Sequence, residues 1–348
     1  MKADDVDGSG LEQIRSDAPT LDWANQTVLV TGAGGFIGSH LVERLLAEGA
    51  SVLAFIHYNS RNDKGFLSNL ENGNKRLRIV AGDICELDAV HSMVKGVDVI
   101  FHLAALVGIP YSYQHVHQVI EVNTMGTLNI LTAGKENGVK RISHTSTSEV
   151  YGTAKAIPMD ENHPKRAQSP YAASKIAADA IAMTHYLSFG LPVSICRPFN
   201  TYGPRQSDRA IIPSLISQAL SKREIVVGNM RPTRDFTYVS DTVAGFIKVA
   251  ECSSCIGEEI NLGTGCEVSI ESLAKKIVEL VGRDVRITCS EERMRPAGSE
   301  VERLCSNNTK ARTLAGWRPM VSLEAGLHAT AEWIKHSSHL FDPNHYRI

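Results

Sequence analysis

From residue 26 onward the chain alternates between two hydrophobic periods. Short runs rich in β-branched residues, QTVLV, ASVLAFI, RLRIVAGD, VDVIFHLAA and the stretch ending at SHTSTS, are each followed by a helical pattern. The first of these helices is predicted over residues 37–48, and GLPVSICRP adds a strand after a long helix predicted over residues 170–189. Strands that are apolar along their whole length and alternate with helices imply a parallel sheet covered on both faces. Past residue 200 the pattern changes, with frequent Pro, Gly and Arg and shorter elements. IVVGN, FTYVS and VRIT read as small strands, SIESLAKKIVEL and SLEAGLHATAEWIKH as amphipathic helices.

This predicts three parts. Residues 1–25 are a polar extension, acidic where a secretory signal would be basic and apolar, and expected to dock only loosely. Residues 26–198 form the sheet domain. Residues 199–340 are mainly a smaller lobe that closes over something bound on the sheet, with room for strands or helices that return to the first domain.

Composition narrows the classes. A net charge of −2 gives no bulk attraction to nucleic acid or an anionic membrane. No apolar run reaches the roughly 18 residues a spanning helix needs. Seven scattered cysteines fit a reduced, cytoplasmic protein better than a disulfide scaffold. Cys252 and Cys255 form a C-x-x-C with no second pair or nearby His, so no metal site is expected.

TGAGGFIGSH joins the first strand to the first helix. Gly32, Gly35 and Gly38 allow a tight turn and close backbone approach to a pyrophosphate, and the helix N-terminus offers free N–H groups and a positive dipole end. This placement makes dinucleotide binding the leading reading and the fold a Rossmann-type, doubly wound α/β sheet with a C-terminal substrate-binding lobe. The same fingerprint expects an acid at the end of the second strand. AFIHYNSRND has His57 near that place, followed by Asn59, Ser60 and Arg61. That leans toward a 2′-phosphate, hence NADP+ over NAD+; the alternative is a solvated Arg61 and NAD+. Asp83 in AGDI either accepts from the adenine amino group or caps the next helix.

YAASK sets Tyr171 and Lys175 four apart on one helix face. An ammonium near a phenol favours phenolate, which can take a hydroxyl proton while hydride leaves the same carbon. With TSTSEVYG about 24 residues upstream, the pair reads as chemistry rather than as a solvated helix face.

Taken together, TGAGGFIG, AGDI, HLAA, STSEVYG, YAASK and RPFNTYGP resemble the extended short-chain dehydrogenase/reductases that act on nucleotide sugars, over residues 26 to about 336. The resemblance extends the cofactor set to Phe36, Ile37, Ile84, Leu103, Ala104 and Ala105, with Tyr171 and Lys175 serving cofactor and catalysis alike. It places Thr147 on the sugar 4-hydroxyl. Thr147-Ser148-Glu149 matches the sugar 4,6-dehydratases, with Ser148 standing where glucose-type members carry an acid. The implied reaction oxidises C4, so that C5–H becomes acidic. Glu149 takes that proton, the C6 hydroxyl leaves as water, and hydride returns to C6.

HLAALVGIPYSY, HYNSRN and RPAGSEVERL resemble dehydratases of legionaminic-acid-type pathways, which implies UDP- or GDP-linked N-acetylglucosamine. Tyr111 or Tyr113 would pack on the sugar, or else between the lobes. Asn200, Arg205, Arg234 and Arg295 are the candidates for the diphosphate, because arginine forks suit phosphate oxygens. Arg209 and Arg231 are expected in solvent. By the same resemblance, helices near residues 115–137 and 170–189 imply a homodimer. The alternatives are a UDP-glucuronate decarboxylase, an epimerase and a non-catalytic dinucleotide sensor. The first is disfavoured by the lack of a cation in GIPYSYQHVHQ, the second by Glu149 and the third by the intact Tyr/Lys pair.

Overall fold

The computed structural model describes residues 8–71 and 74–343. The strands are β1 (Thr27–Thr31), β2 (Ser51–His57), β3 (Leu77–Gly82), β4 (Val99–His102), β5 (Arg141–Thr145), β6 (Val193–Pro198), β7 (Asn200–Tyr202), β8 (Glu224–Val227), β9 (Thr233–Tyr238), β10 (Glu259–Leu262), β11 (Glu267–Ser269) and β12 (Arg286–Cys289). Seven of them form one sheet in the order β10-β6-β5-β4-β1-β2-β3, parallel throughout. Side chains alternate across it, as the strand period requires. Val28 and Val30 enter one apolar layer with Leu41, Leu45 and Phe246. Leu29 enters the other with Ile100, Ile130 and Ile142. This is the doubly wound sheet that the pattern predicted, and the order reverses between β1 and β4, where such sheets bind ligands.

The second half of the chain is split. Helix Val239–Glu251, β10 and helix Thr309–Ala315 return to the main sheet, and Trp317 is buried there with its indole N–H on the Asp241 carbonyl at 2.9 Å. The remainder is a lobe with its own core around Leu215, Ile225, Phe236, Leu273 and Ile334. Its strands form the sheet β11-β9-β7 and the pair β12-β8.

Two expectations change. The N-terminal extension is seated over its described part: Leu21 and Trp23 are buried, the Trp23 indole donates to Glu251 at 2.8 Å, and Arg15 pairs with Glu258 at 2.6 Å. The helix expected over 115–137 is broken into Val116–Ile120, a π-helical turn Glu121–Met125 and Gly126–Glu136. The cause is Asn123, which is buried, accepts from the Leu106 N–H at 2.7 Å and donates to Ser174 at 2.9 Å. A widened turn swings that amide inward and ties the loop after β4 to the long helix.

Candidate active site

The carboxyl ends of β1, β4 and β5 meet over the reversal point. Gly32 has φ of 68°, and a Cβ added there would stand 3.0 Å from the Ala104 nitrogen. The Thr31 hydroxyl accepts from the Leu103 and Ala104 N–H groups at 3.1 and 3.0 Å, locking the β1 and β4 ends side by side. A Cβ on Gly38 would stand 2.3 Å from the Gly32 carbonyl oxygen, so only glycine allows this helix Phe36–Ala47 to sit so near the strand. Gly35 occupies the N-cap with no side-chain cap, which leaves the first-turn N–H groups of Phe36, Ile37 and Gly38 without an intrahelical acceptor. These features fit a dinucleotide pyrophosphate.

Around that groove several candidates have other partners. Asn59 closes its own loop, accepting from the Asp63 N–H and donating to the Asp63 carbonyl, both at 2.8 Å, while Ser60 and Arg61 are exposed. The loop is clamped on the glycine turn by Phe66 N–H to Gly34 carbonyl at 3.3 Å. Asp83 accepts from the Cys85 N–H at 2.9 Å within its own turn. Ile84 is buried against Gly126.

TSTSEVYG leaves β5 as a capped turn that also carries an acid. Thr147 is extended and accepts from the Glu149 N–H at 3.3 Å, capping the short helix Ser148–Tyr151. Its hydroxyl is also near enough to the Tyr171 phenol to act on its acidity. Ser148 is buried, Glu149 half-buried. Tyr171 and Lys175 come from the first turns of helix Pro170–Phe189, which starts at the Ser169 cap. Burial pushes the Tyr171 phenol up, the Thr147 contact opposes this, and the charges of Glu149 and Asp179 add to it. Lys175 is pushed down to about 8 by burial, against the pull of Asp179. The expected lowering of the phenol by Lys175 is not met, since burial and the two carboxylates outweigh the Thr147 contact and Lys175 is not among the groups that shift it.

Between the sheet and the lobe lies a cavity of about 250 Å³ lined by Asn200, Gln206, Arg234, Arg293, Arg295 and Glu300 among others. Arg234 is buried; burial lowers its basicity while Glu149 and Glu300 pull it back. Glu300 lies 3.4 Å from Arg234 and 3.6 Å from Arg295. The Asn200 side-chain oxygen and an Arg295 nitrogen are buried there without a protein hydrogen-bond partner. Arg205 is not part of this lining. Its guanidinium turns to Ser39 at 3.1 Å and Glu43 at 2.6 Å, since that carboxylate on helix Phe36–Ala47 is the nearer anion. Arg209, expected in solvent, is exposed but lines the cavity. Gln206, Arg293 and Glu300 were not singled out from sequence; the MRPAGSE segment held the signal for the last. Tyr113 bonds Ser299 across the lobe boundary, whereas Tyr111 stacks on His115 at 4.2 Å and donates to Gln118 at 2.8 Å. Among the described residues no group of three or more His, Cys, Asp or Glu is placed to hold a metal ion, and no helix is long and apolar enough to cross a membrane.

A glycine turn at the switch point, a Tyr/Lys pair on the helix beside it and an arginine-lined cavity under a second lobe define an extended short-chain dehydrogenase/reductase. The family model for GDP-mannose 4,6 dehydratase matches residues 29–330, and the chain belongs to that family of NAD-dependent nucleotide-sugar dehydratases and epimerases. It is 34% identical to a UDP-glucose 4-epimerase of Mycolicibacterium smegmatis over 89% of this chain and 99% of that protein. It is also 34% identical to a UDP-N-acetyl-alpha-D-glucosaminuronate decarboxylase of Bacillus cytotoxicus, over 88% and 97%. A dTDP-glucose 4,6-dehydratase from Streptomyces venezuelae, solved with NAD bound, superposes with a TM-score of 0.83 at 29% identity, covering 91% of this chain and 99% of that one.

Proposed function

We propose that the protein is a nucleotide-sugar 4,6-dehydratase acting on UDP- or GDP-N-acetylglucosamine. The observation that carries this reading is the turn in which Thr147 caps the Glu149 N–H and so sets that carboxylate two residues from the hydroxyl that acts on Tyr171. A base for C5 thus stands beside the group that oxidises C4. Gly32, Gly35, Gly38 and the first-turn N–H groups of helix Phe36–Ala47 would hold a dinucleotide, which would supply the hydride acceptor for C4, the hydride for C6 and, oxidised, a positive charge that favours phenolate.

The chain's own residues do the rest. Tyr171, its phenol aligned by Thr147, removes the C4 hydroxyl proton, and Lys175 supplies positive charge to that phenolate. Glu149 takes the C5 proton from the 4-ketone. Ser148, buried beside it, cannot protonate the leaving C6 hydroxyl at neutral pH as an acid would, so Glu149 delivers that proton too, and a proton drawn from solvent returns to C5 as hydride reaches C6. Asn200, Arg234 and Arg295 hold the diphosphate, for which the buried Arg295 nitrogen that makes no hydrogen bond in the protein is suited. The exposed Arg61 on the clamped loop supports a 2′-phosphate and so NADP+, although Asn59 is spent on the loop itself. The exposed apolar side chains Val116, Ile120, Met125 and Leu187 lie along the helices that we assign to a homodimer. Seven unpaired cysteines support a cytoplasmic location.

Arg234, buried and electrostatically coupled to Glu149, gives decarboxylation of a uronate a footing as a second reading, because a buried cation can take a substrate carboxylate. Incubation with UDP- and GDP-N-acetylglucosamine and with UDP-glucuronate in deuterated water, read by NMR and mass spectrometry, separates the two. Loss of water with deuterium at C5 from one hexosamine is the expected result. Loss of carbon dioxide from the uronate, with both hexosamines untouched, overturns it.

A further inference from the structure

Tyr171, Lys175 and Asp179 follow one another at four-residue intervals along helix Pro170–Phe189, so they share one face of it. Asp179 is fully buried. Its Oδ2 accepts from the Ser146 hydroxyl at 2.7 Å and from Arg197 at 2.8 Å, and its Oδ1 faces His144 Nε2 at 3.3 Å. Ser146 is the residue before Thr147. Arg197, also buried, reaches the Tyr151 phenol at 2.6 Å and Glu259 on β10 at 3.0 Å, while Tyr151 donates to Asn261 at 2.8 Å. One carboxylate therefore joins the helix of the Tyr/Lys pair, the segment Ser146–Tyr151 and the edge strand that the second half of the chain returns to the sheet.

We infer that Asp179 is a positioning residue for the oxidation step: it fixes Ser146, and through it Thr147, and it sets a buried carboxylate one turn from Lys175 on the helix face that carries the Tyr/Lys pair. The inference rests on the roles proposed above for Thr147, Tyr171 and Lys175.

The charges around the site support the second half of this. Glu259 pairs with Arg197, and also with Lys165, so Arg197 does not consume the whole field of Asp179. The remaining groups facing the cluster are His102 from β4, His144 from β5, Tyr171 from the helix itself and Glu149 from the turn. Burial and the charge of Lys175 hold both imidazoles below their ordinary range, His144 at about 4, so neither adds a cation near neutral pH. His102 is further fixed between Thr31 at 2.9 Å and Thr127 at 3.0 Å. Asp179 is held well below the usual carboxylate range by His144, Arg197 and Lys175, and stays charged over the working range of pH. Against it, Lys175 carries the burial cost alone and loses its proton near 8. Without the carboxylate that proton leaves at lower pH, the phenolate loses its cation, and turnover fails on the alkaline side first.

The test compares wild type with Asp179→Asn in two ways. The first, needing no substrate, is the ε-carbon NMR titration of Lys175, assigned by its disappearance in Lys175→Met. Wild type is expected to titrate near 8, and Asp179→Asn about one pH unit lower or more. The second is the pH profile of turnover. Its alkaline limb moves down in Asp179→Asn, kcat falls and KM for the nucleotide sugar stays close to wild type. Ser146→Ala keeps the charge and removes one tether: its lysine titrates as in wild type and its kcat falls. A folded Asp179→Asn with an unmoved lysine overturns the electrostatic role. If Asp179→Asn does not fold, Ser146→Ala decides, and an unchanged kcat there overturns the positioning role. Failure of both hexosamines as substrates leaves the lysine titration intact, so the two proposals fail separately.

Discussion

Glu149 and Tyr171 are set apart by what each must do to the same sugar. In the proposed reaction Tyr171 acts before any carbon–oxygen bond breaks, and Glu149 only after C4 is a ketone. Glu149→Gln is therefore expected to lower dehydration by about 10²–10⁴ while reduced nicotinamide still accumulates, visible by its absorbance on mixing with substrate. Tyr171→Phe removes that absorbance as well. Equal loss of both signals in Glu149→Gln would place the carboxylate in the oxidation step and sink its assignment to C5. The sequence made these residues legible because Thr147-Ser148-Glu149 and YAASK are local patterns. Arg205 lies outside the cavity lining for a reason that is not local: from sequence it is one more arginine beside RPFNTYGP, and only the fold brings Glu43 within 2.6 Å of it. Arg293 was missed for a related reason, since its path to the cavity depends on the Val226 carbonyl that it meets at 2.7 Å.

Elements carry the next level of the argument. The glycine turn works because helix Phe36–Ala47 packs directly on β1, and Gly38 sets that distance. In Gly38→Ala the added Cβ would meet the Gly32 carbonyl at 2.3 Å and the Ala33 Cα at 2.9 Å, both backbone atoms that cannot rotate away. We expect about 1–3 kcal/mol of destabilisation and loss of co-purifying dinucleotide, read by thermal melting and by absorbance of the extracted cofactor. Gly298→Ala, where a Cβ meets nothing within 4 Å, is expected to match wild type in both. The strand–turn–helix succession was readable because continuous apolar runs such as TVLV leave few alternatives. EINL was not read as the seventh strand, since half of it is polar. The structure supplies the reason: Glu259 and Asn261 are satisfied by Arg197 and Tyr151, partners far away in the chain. The π-helical turn was equally silent, because Asn123 looks like any polar helix residue until Leu106 and Ser174 are brought to it.

At the scale of the whole molecule, the two halves are not beads on a string. Helix Val239–Glu251 and β10 share the core of the first sheet, and the N-terminal segment is pinned to that same returning helix by Trp23. The ring of Trp23 lies 6.0 Å from Phe101 at the centre of the sheet, and only 5% of its surface is exposed. A residue this deep between an extension, a central strand and a helix from the second half reports on all three. Trp23→Ala removes a large buried ring and leaves Glu251 without its indole donor, which is expected to cost about 3–5 kcal/mol. If the parts are one cooperative body, urea denaturation followed by far-UV circular dichroism and by tryptophan emission gives coincident transitions in wild type, and the variant moves both to lower urea together. Turnover in buffer survives, because no proposed catalytic group touches Trp23. A variant with an unchanged midpoint would instead make residues 8–25 a passenger on an independently stable sheet, and the extension would then be dispensable to the fold.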